Sequence, residues 1–249
     1  MISSFAMRAG VVAATFVLAG FVKGVTGMGL PTVAMAVLGT LMPPAQAAAM
    51  LLLPSFVTNV WQLFAGPNVN ALLRRLWPMM LGIAVGTIAA ASFIAGGGGQ
   101  WAVVGLGVAL SLYAAAGLLA WRFSVPARHE RWLSPAMGAM TGVITGGTGV
   151  FVVPAVPYLQ GLALKKEDMV QALGLSFTVS TVALAAGLAR EHAFAVGDLR
   201  ESLFAVVPAL LGMWIGQRVR GRISAETFRR WFFICLLVLG LQLMARAFV

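Results

Sequence analysis

The chain has 249 residues, of which 60% are hydrophobic and 10% are charged, and 17 Lys and Arg against 7 Asp and Glu give a net charge of +10. A solvated globular surface needs about 25% charged residues. The composition therefore argues against a soluble enzyme, a disordered tail or a soluble nucleic-acid-binding domain, and for a polytopic membrane protein.

The acids all lie at or after Glu130, and the single Cys235 sits in an apolar run, so no disulfide framework or thiolate metal site is expected. Crossing the hydrocarbon as a helix takes roughly 20 apolar residues, against about 10 alternating ones for a barrel strand. The apolar runs here are of the helical kind. Residues 5–42 are mostly apolar but interrupted by Lys23-Gly24-Val25-Thr26-Gly27-Met28-Gly29-Leu30-Pro31. This reads as a helix, a Gly-rich break and a shorter helix, since Gly permits the positive φ that ends one helix and Pro31 suits the first turn of the next.

Full-length spans are predicted at 45–65, 77–95 and 101–121, parted by Gly66-Pro67-Asn68 and by Gly96 to Gly99. A charged linker at 122–132 follows. Residues 133–161 repeat the opening pattern, interrupted by Thr145-Gly146-Gly147-Thr148-Gly149 with Pro154 beyond, and spans at 169–189, 200–217 and 230–248 complete the chain. Arg8 before an apolar core imitates a signal peptide, but the second-half counterpart of this segment makes it part of the fold.

The chain matches itself. Pro78, Gly82 and Gly86 align with Pro208, Gly212 and Gly216 at an offset of 130, and Trp101 with Trp231. Gly20-x-x-x-Gly24 aligns with Gly138-x-x-x-Gly142, Gly27-x-Gly29 with Gly147-x-Gly149, and Ser55-Phe56 with Ser176-Phe177, the offset starting at 118. One integral membrane domain, 1–249, thus divides into repeat one, about 5–121, a cytoplasmic linker at 122–132, and repeat two, about 133–248.

Cationic loops favour the cytoplasmic side. If each broken segment were one crossing, the loop cations would split nine against seven. If each is a re-entrant hairpin or two short crossings, the halves are inverted, and twelve cations from Arg74 to Arg230 face one side against four on the other, Arg8, Arg190, Arg200 and Arg246. The expected fold is an all-α polytopic membrane protein of two inverted-topology repeats. Each has a broken or re-entrant helix pair followed by three transmembrane helices, and both termini are non-cytoplasmic.

Discontinuous helices in inverted repeats place substrate sites near the midplane, at the breaks. Short helices starting near Gly29 and Gly149 would direct unpaired N–H groups and partial positive charge at an anion. Lys23 would add a full charge and Thr26, Thr145 and Thr148 hydroxyl donors, with Gly27, Gly29, Gly147 and Gly149 opening the backbone. Lys23 could equally snorkel to an interface. Ser55, Thr58, Asn59 and Gln62 form one helical stripe, mirrored by Ser176 and Ser180, that lines a path or bonds neighbouring helices. No acid falls inside a span, so a carboxylate-borne proton relay or sodium site is not expected. No catalytic set, metal cluster or cofactor motif is visible, and the chain reads as a non-enzyme with no cofactor.

Gly20-x-x-x-Gly24 running into Thr26-Gly27-Met28-Gly29, with Pro43 beyond, resembles the opening of the sulfite exporter TauE/SafE family, also called toluenesulfonate uptake permeases. Gly138-x-x-x-Gly142 with Gly146-Gly147-Thr148-Gly149, Tyr158-Leu159 and Gly161-Leu162 resembles its second repeat. The resemblance implies an inner-membrane carrier of small organic or sulfur-containing anions, such as sulfite, thiosulfate, sulfonates or related carboxylates. Its partners would be that anion and the lipid bilayer, with a homodimer left open and no nucleic acid. This chain departs from a symmetric two-lysine site, because the second break has no lysine. An anion channel and a non-transporting membrane partner subunit stay open as other readings.

Overall fold

The long apolar opening folds into two helices because glycine ends the first. α1 (Ile2–Thr26) stops at Gly27, φ 80°, and Gly29, φ 100°, precedes α2 (Leu30–Leu38), which has Pro31 in its first turn. A residue with a Cβ costs about 1–2 kcal/mol in this left-handed region, and glycine does not. The computed structural model describes residues 2–119, 124–193, 196–222 and 224–248. Arg122 and the start of the predicted linker lie outside them.

The first half continues with α3 (Pro44–Leu63), α4 (Val69–Ser92), a π-helical turn (Phe93–Gly97) and α5 (Gln100–Leu118). The second half comprises α6 (Ala127–Thr148), α7 (Ala155–Gly161), α8 (Lys166–Arg190), α9 (Val196–Val219) and α10 (Ala225–Arg246). The described residues form no strand. Among the described residues six helices, α1, α4, α5, α8, α9 and α10, are long and apolar enough to cross a membrane. α3 falls short because Ser55, Thr58, Asn59 and Gln62 interrupt its apolar sequence, and all four are buried within the protein.

Each broken pair is a hairpin. The chain just after α2 (Leu41, Met42, Pro43) shares a cavity with Met7, Val11 and Val12 of α1, so α2 returns alongside α1. In repeat two, Val125 N–H donates to the Gly161 carbonyl at 2.9 Å, and the Ser134 and Tyr158 hydroxyls are hydrogen-bonded at 2.6 Å, so α7 returns to the start of α6. The loops therefore gather at two ends of the molecule. One end holds residues 64–68, the α6 start, 161–168 and 219–222. The other holds 40–43, 93–100, 190–193 and the end of α10, where Arg246 donates to the Thr40 carbonyl at 2.6 Å.

The halves interlock through glycine. α1 packs on α9 and α6 packs on α4. A Cβ on Gly24 would sit 2.9 Å from the Gly216 Cα, and one on Gly86 would sit 2.6 Å from the Ala139 carbonyl oxygen. Gly20-x-x-x-Gly24 thus meets Gly212-x-x-x-Gly216, and Gly138-x-x-x-Gly142 meets Gly82-x-x-x-Gly86, so the small residues let the backbones approach closely. α3 packs on α8 and α5 on α10, both antiparallel. In the first pair Asn59 reaches Thr181 while Leu63 lies against Gly174. In the second, Trp101 meets Phe248 while Tyr113 meets Phe233.

Candidate functional site

The end of α1 carries Lys23, which is only 2% exposed within the protein. Because α2 folds back, α3 runs beside α1 and brings its polar stripe to the lysine. Lys23 Nζ donates to Thr58 Oγ1 at 3.1 Å and to Asn59 Oδ1. Asn59 Nδ2 donates in turn to Thr181 Oγ1 on α8 at 3.2 Å. The chain Lys23–Asn59–Thr181 ties three helices together, two from the first half of the chain and one from the second. No carboxylate faces the ammonium among the described residues.

Six residues after Lys23 the start of α2 offers unpaired donors. The N–H groups of Gly29, Leu30 and Thr32 make no hydrogen bond, and Pro31 has none to offer. Thr32 Oγ1 is fully buried without a partner. Sequence reasoning missed Thr32; its place in the first turn after the break was the available signal. An ammonium, free N–H groups at a helix N-terminus and a free hydroxyl together suit an anion.

Thr26 and Thr148 do not serve as free donors, contrary to the sequence expectation. Thr26 Oγ1 contacts the Val22 carbonyl at 2.9 Å and accepts Met28 N–H at 3.2 Å. Thr148 Oγ1 contacts the Ile144 carbonyl at 2.6 Å and accepts Val150 N–H at 3.3 Å. Both hydroxyls brace the backbone of their breaks in the same way. Thr145 is also engaged, donating to the Val150 carbonyl at 3.2 Å.

These equivalent bonds correct the alignment of the breaks. Gly27 N–H donates to the Lys23 carbonyl and Gly149 N–H to the Thr145 carbonyl, both at 2.7 Å, and Gly149 has φ 71°. Gly149 therefore corresponds to Gly27, while Gly147 is an ordinary buried residue inside α6. The packing glycines keep the offset of 118, but Gly24 precedes its break by three residues and Gly142 precedes its own by seven. α6 thus runs one turn further than α1. The second short helix does not begin near Gly149 either: Val150–Val153 intervene and α7 starts at Ala155, so no mirrored helix N-terminus meets the first. The breaks are joined instead by α2, which has Gly29 at one break while Met35 Sδ would lie 3.0 Å from a Cβ on Gly149 at the other. Six residues of helix put these points roughly 9 Å apart.

Gln62 is a brace. Its Nε2 donates to the Gly27 carbonyl at 2.8 Å and the Val170 carbonyl at 3.1 Å, leaving Oε1 without a partner. Gln171, which the sequence did not single out, matches it: Nε2 donates to the Leu63 and Gly66 carbonyls at 2.8 and 2.6 Å, and Oε1 accepts Asn68 N–H at 2.9 Å. Ser55, Ser176 and Ser180 are fully buried with no hydrogen-bond partner. Cavities of about 380 and 410 Å³ open at the end that holds Met42, Pro43 and Arg246, and neither is lined by Lys23 or Asn59.

Broken helices folded back inside a bundle of long apolar helices, with a buried ammonium at one break, define a polytopic α-helical membrane protein. A family model, Sulfite exporter TauE/SafE, matches residues 12–243, and the chain belongs to this family of membrane transporters. No curated protein and no solved structure matches it.

Proposed function

We propose that the protein is a secondary carrier that moves a small organic or sulfur-containing anion across a bacterial inner membrane by alternating access. Sulfite, thiosulfate, a sulfonate or a similar carboxylate fits the site. One observation carries this reading: the Lys23 ammonium is buried with no carboxylate to neutralise it among the described residues, and the start of α2, six residues further along the chain, carries unpaired N–H groups and an unpartnered Thr32 hydroxyl. A buried unpaired charge is costly, and a bound anion relieves that cost. Lys23, Gly29 and Thr32 hold the anionic head in this reading. Asn59 orients the lysine, Ser55 lines the path, and Gln62, Thr26 and Gly27 shape the break.

The topology supports alternation. α3 and α8 occupy equivalent places in the halves and pack antiparallel, as do α5 and α10. A two-fold axis relating antiparallel helices is perpendicular to them, so it lies in the membrane plane and the repeats are inverted. The folded-back pairs α1–α2 and α6–α7 act as re-entrant hairpins. The end with Arg74, Arg75, Arg128, Arg131, Lys165 and Lys166 is cytoplasmic by its excess of cations, which places both termini outside. Reporter fusions in the loop at 97–100 and after residue 248 test this, and a cytoplasmic signal from either overturns it.

The function is tested in proteoliposomes with labelled thiosulfate and sulfite. A carrier gives saturable uptake that unlabelled anion inside the vesicle accelerates. Flux linear in concentration without counterflow identifies a channel, and no flux for any of these anions removes the carrier reading.

A further inference from the structure

Tyr113 is buried on α5, only 4% exposed, yet its hydroxyl has a thioether for its partner. Tyr113 Oη donates to Met28 Sδ at 3.3 Å, its one hydrogen bond among the described residues. Sulfur is a weak acceptor, so the phenol loses little by turning to an oxygen, and a buried hydroxyl without a good partner is costly. Met28 stands between Gly27 and Gly29, the two positive-φ residues of the first break. The contact therefore brings a poorly satisfied phenol from α5 to the side chain of a residue in the break.

The register of α2 on α5 sets a second hydroxyl at the same place. A Cβ on Gly39, which caps α2, would lie 2.8 Å from Leu106 Cδ2, while Met28 meets Tyr113, so the two helices run antiparallel. Thr32 precedes Gly39 by seven residues and Tyr113 follows Leu106 by seven. Seven residues make nearly two full turns, roughly 10 Å along either axis. Thr32 thus lies on the face of α2 that meets α5, at the height of Tyr113. Its hydroxyl is fully buried and has no partner. Apolar rings close the region. Tyr113 packs edge-on against Phe233 with centroids 5.1 Å apart, Phe233 lies 5.2 Å from Phe232, and Phe232 Cζ would sit 3.4 Å from a Cβ on Gly29. Hydrogen bonds are stronger in such a low-dielectric setting.

We propose that Tyr113 is a substrate-binding residue: its hydroxyl turns from Met28 Sδ to an oxygen of the bound anion and, with the Thr32 hydroxyl, selects an oxyanion over a halide. Two hydroxyls on different helices, beside the unpaired N–H groups of Gly29, Leu30 and Thr32, offer donors to separate acceptor atoms. An anion with several oxygens matches that set, and a single-atom halide does not. The assignment rests on the reading that the anion binds at the start of α2, and deepens it by naming the class of anion and the residue of α5 that reads it.

Binding titrations of the purified full-length protein in detergent test it, with thiosulfate and sulfite as probes and chloride read by competition. Tyr113→Phe should weaken binding of the oxyanions at least about tenfold, since hydrogen bonds to charged groups are the stronger class, and leave competition by chloride unchanged. Met28→Leu breaks the same Tyr113–Met28 bond but keeps the phenol, so oxyanion affinity should stay at or above the wild-type value. If the bond were only a brace, both variants would lose affinity alike. The chain has two tyrosines, so carbon-13 labelling at the tyrosine Cζ gives two resonances, and Tyr158→Phe identifies that of Tyr113. Saturating thiosulfate should shift the Tyr113 resonance, a readout that needs no change at the site. Unchanged oxyanion affinity in Tyr113→Phe, equal losses in Tyr113→Phe and Met28→Leu, or an unmoved Tyr113 resonance overturns this assignment and leaves the anion site at Lys23 standing. Failure of the wild-type protein to bind either oxyanion overturns the site and the assignment together.

Discussion

Gly24 of α1 lies against Gly216 of α9, so near that a Cβ on Gly24 would come within 2.9 Å of the Gly216 Cα. The pair joins the first helix of one repeat to the penultimate helix of the other, and its counterpart joins Gly142 to Gly86. Gly24→Leu must push two backbones apart, and overpacking of this kind costs about 1–3 kcal/mol or more. The expected result is a midpoint lowered by several degrees in detergent, matched by Gly142→Leu. A wild-type midpoint for both would mean that these helices do not meet through their glycines.

Lys23→Ala removes the only charge at the first break. Loss of one partner of a buried charged pair costs about 2–5 kcal/mol, so anion affinity should fall at least about 30-fold in a binding titration. Folding should survive, because the variant removes a buried charge rather than creating one. Unaltered affinity removes Lys23 from the site.

Asn59→Asp makes the opposite change at the same place. The carboxylate would accept from Lys23 in the position of Asn59 Oδ1 and neutralise it internally. The folded protein should therefore persist while anion binding is lost to a similar degree as in Lys23→Ala. Asn59→Asp with wild-type affinity would show that the ammonium does not face the substrate.

Gln171→Ala removes three hydrogen bonds that hold the α3–α4 loop to the first turns of α8. At about 1 kcal/mol per neutral bond, the loop should open more readily. Hydrogen exchange at the Asn68 amide should accelerate about 10-fold or more, while exchange at the α5–α10 contact stays unchanged. Equal protection of Asn68 in both proteins would show that other contacts hold the loop.

Arg75 and Glu130 form a two-pronged ion pair at 2.7 and 2.8 Å at the cation-rich end, with the Arg75 side chain 43% exposed. Solvent and salt screen such a pair, and its contribution is about 0–1 kcal/mol. Glu130→Gln should lower the unfolding midpoint by no more than a few degrees, with the difference shrinking at high salt. A large salt-independent loss would assign the pair a role beyond surface tethering.

Much of the architecture was legible in the residues because the bilayer imposes a length on every span and glycine marks every break. The spans at 77–95 and 101–121 and the breaks near Gly27 and Gly149 needed only local sequence, whereas the run at 45–65 forms a helix that falls short of a candidate span. The ordered glycine pairs also marked the helix contacts, since close backbone approach admits no larger side chain.

Which glycine meets which, and which polar groups are left without partners, depended on helices far apart in the chain. Lys23 reaches Asn59 only because α2 folds back and sets α3 beside α1. The extra turn of α6, which moves the true counterpart of Gly27 from Gly147 to Gly149, is silent in a sequence rich in glycine, because spacing alone does not reveal which one adopts positive φ. Composition determined that the chain lives in a membrane, and the order of the residues that most of its cations lie between or at the ends of the apolar runs. Tertiary packing decided that Lys23 is buried with no carboxylate facing it among the described residues and that the Thr32, Ser55, Ser176 and Ser180 hydroxyls lack partners, because burial and hydrogen-bond satisfaction are properties of the assembled helices.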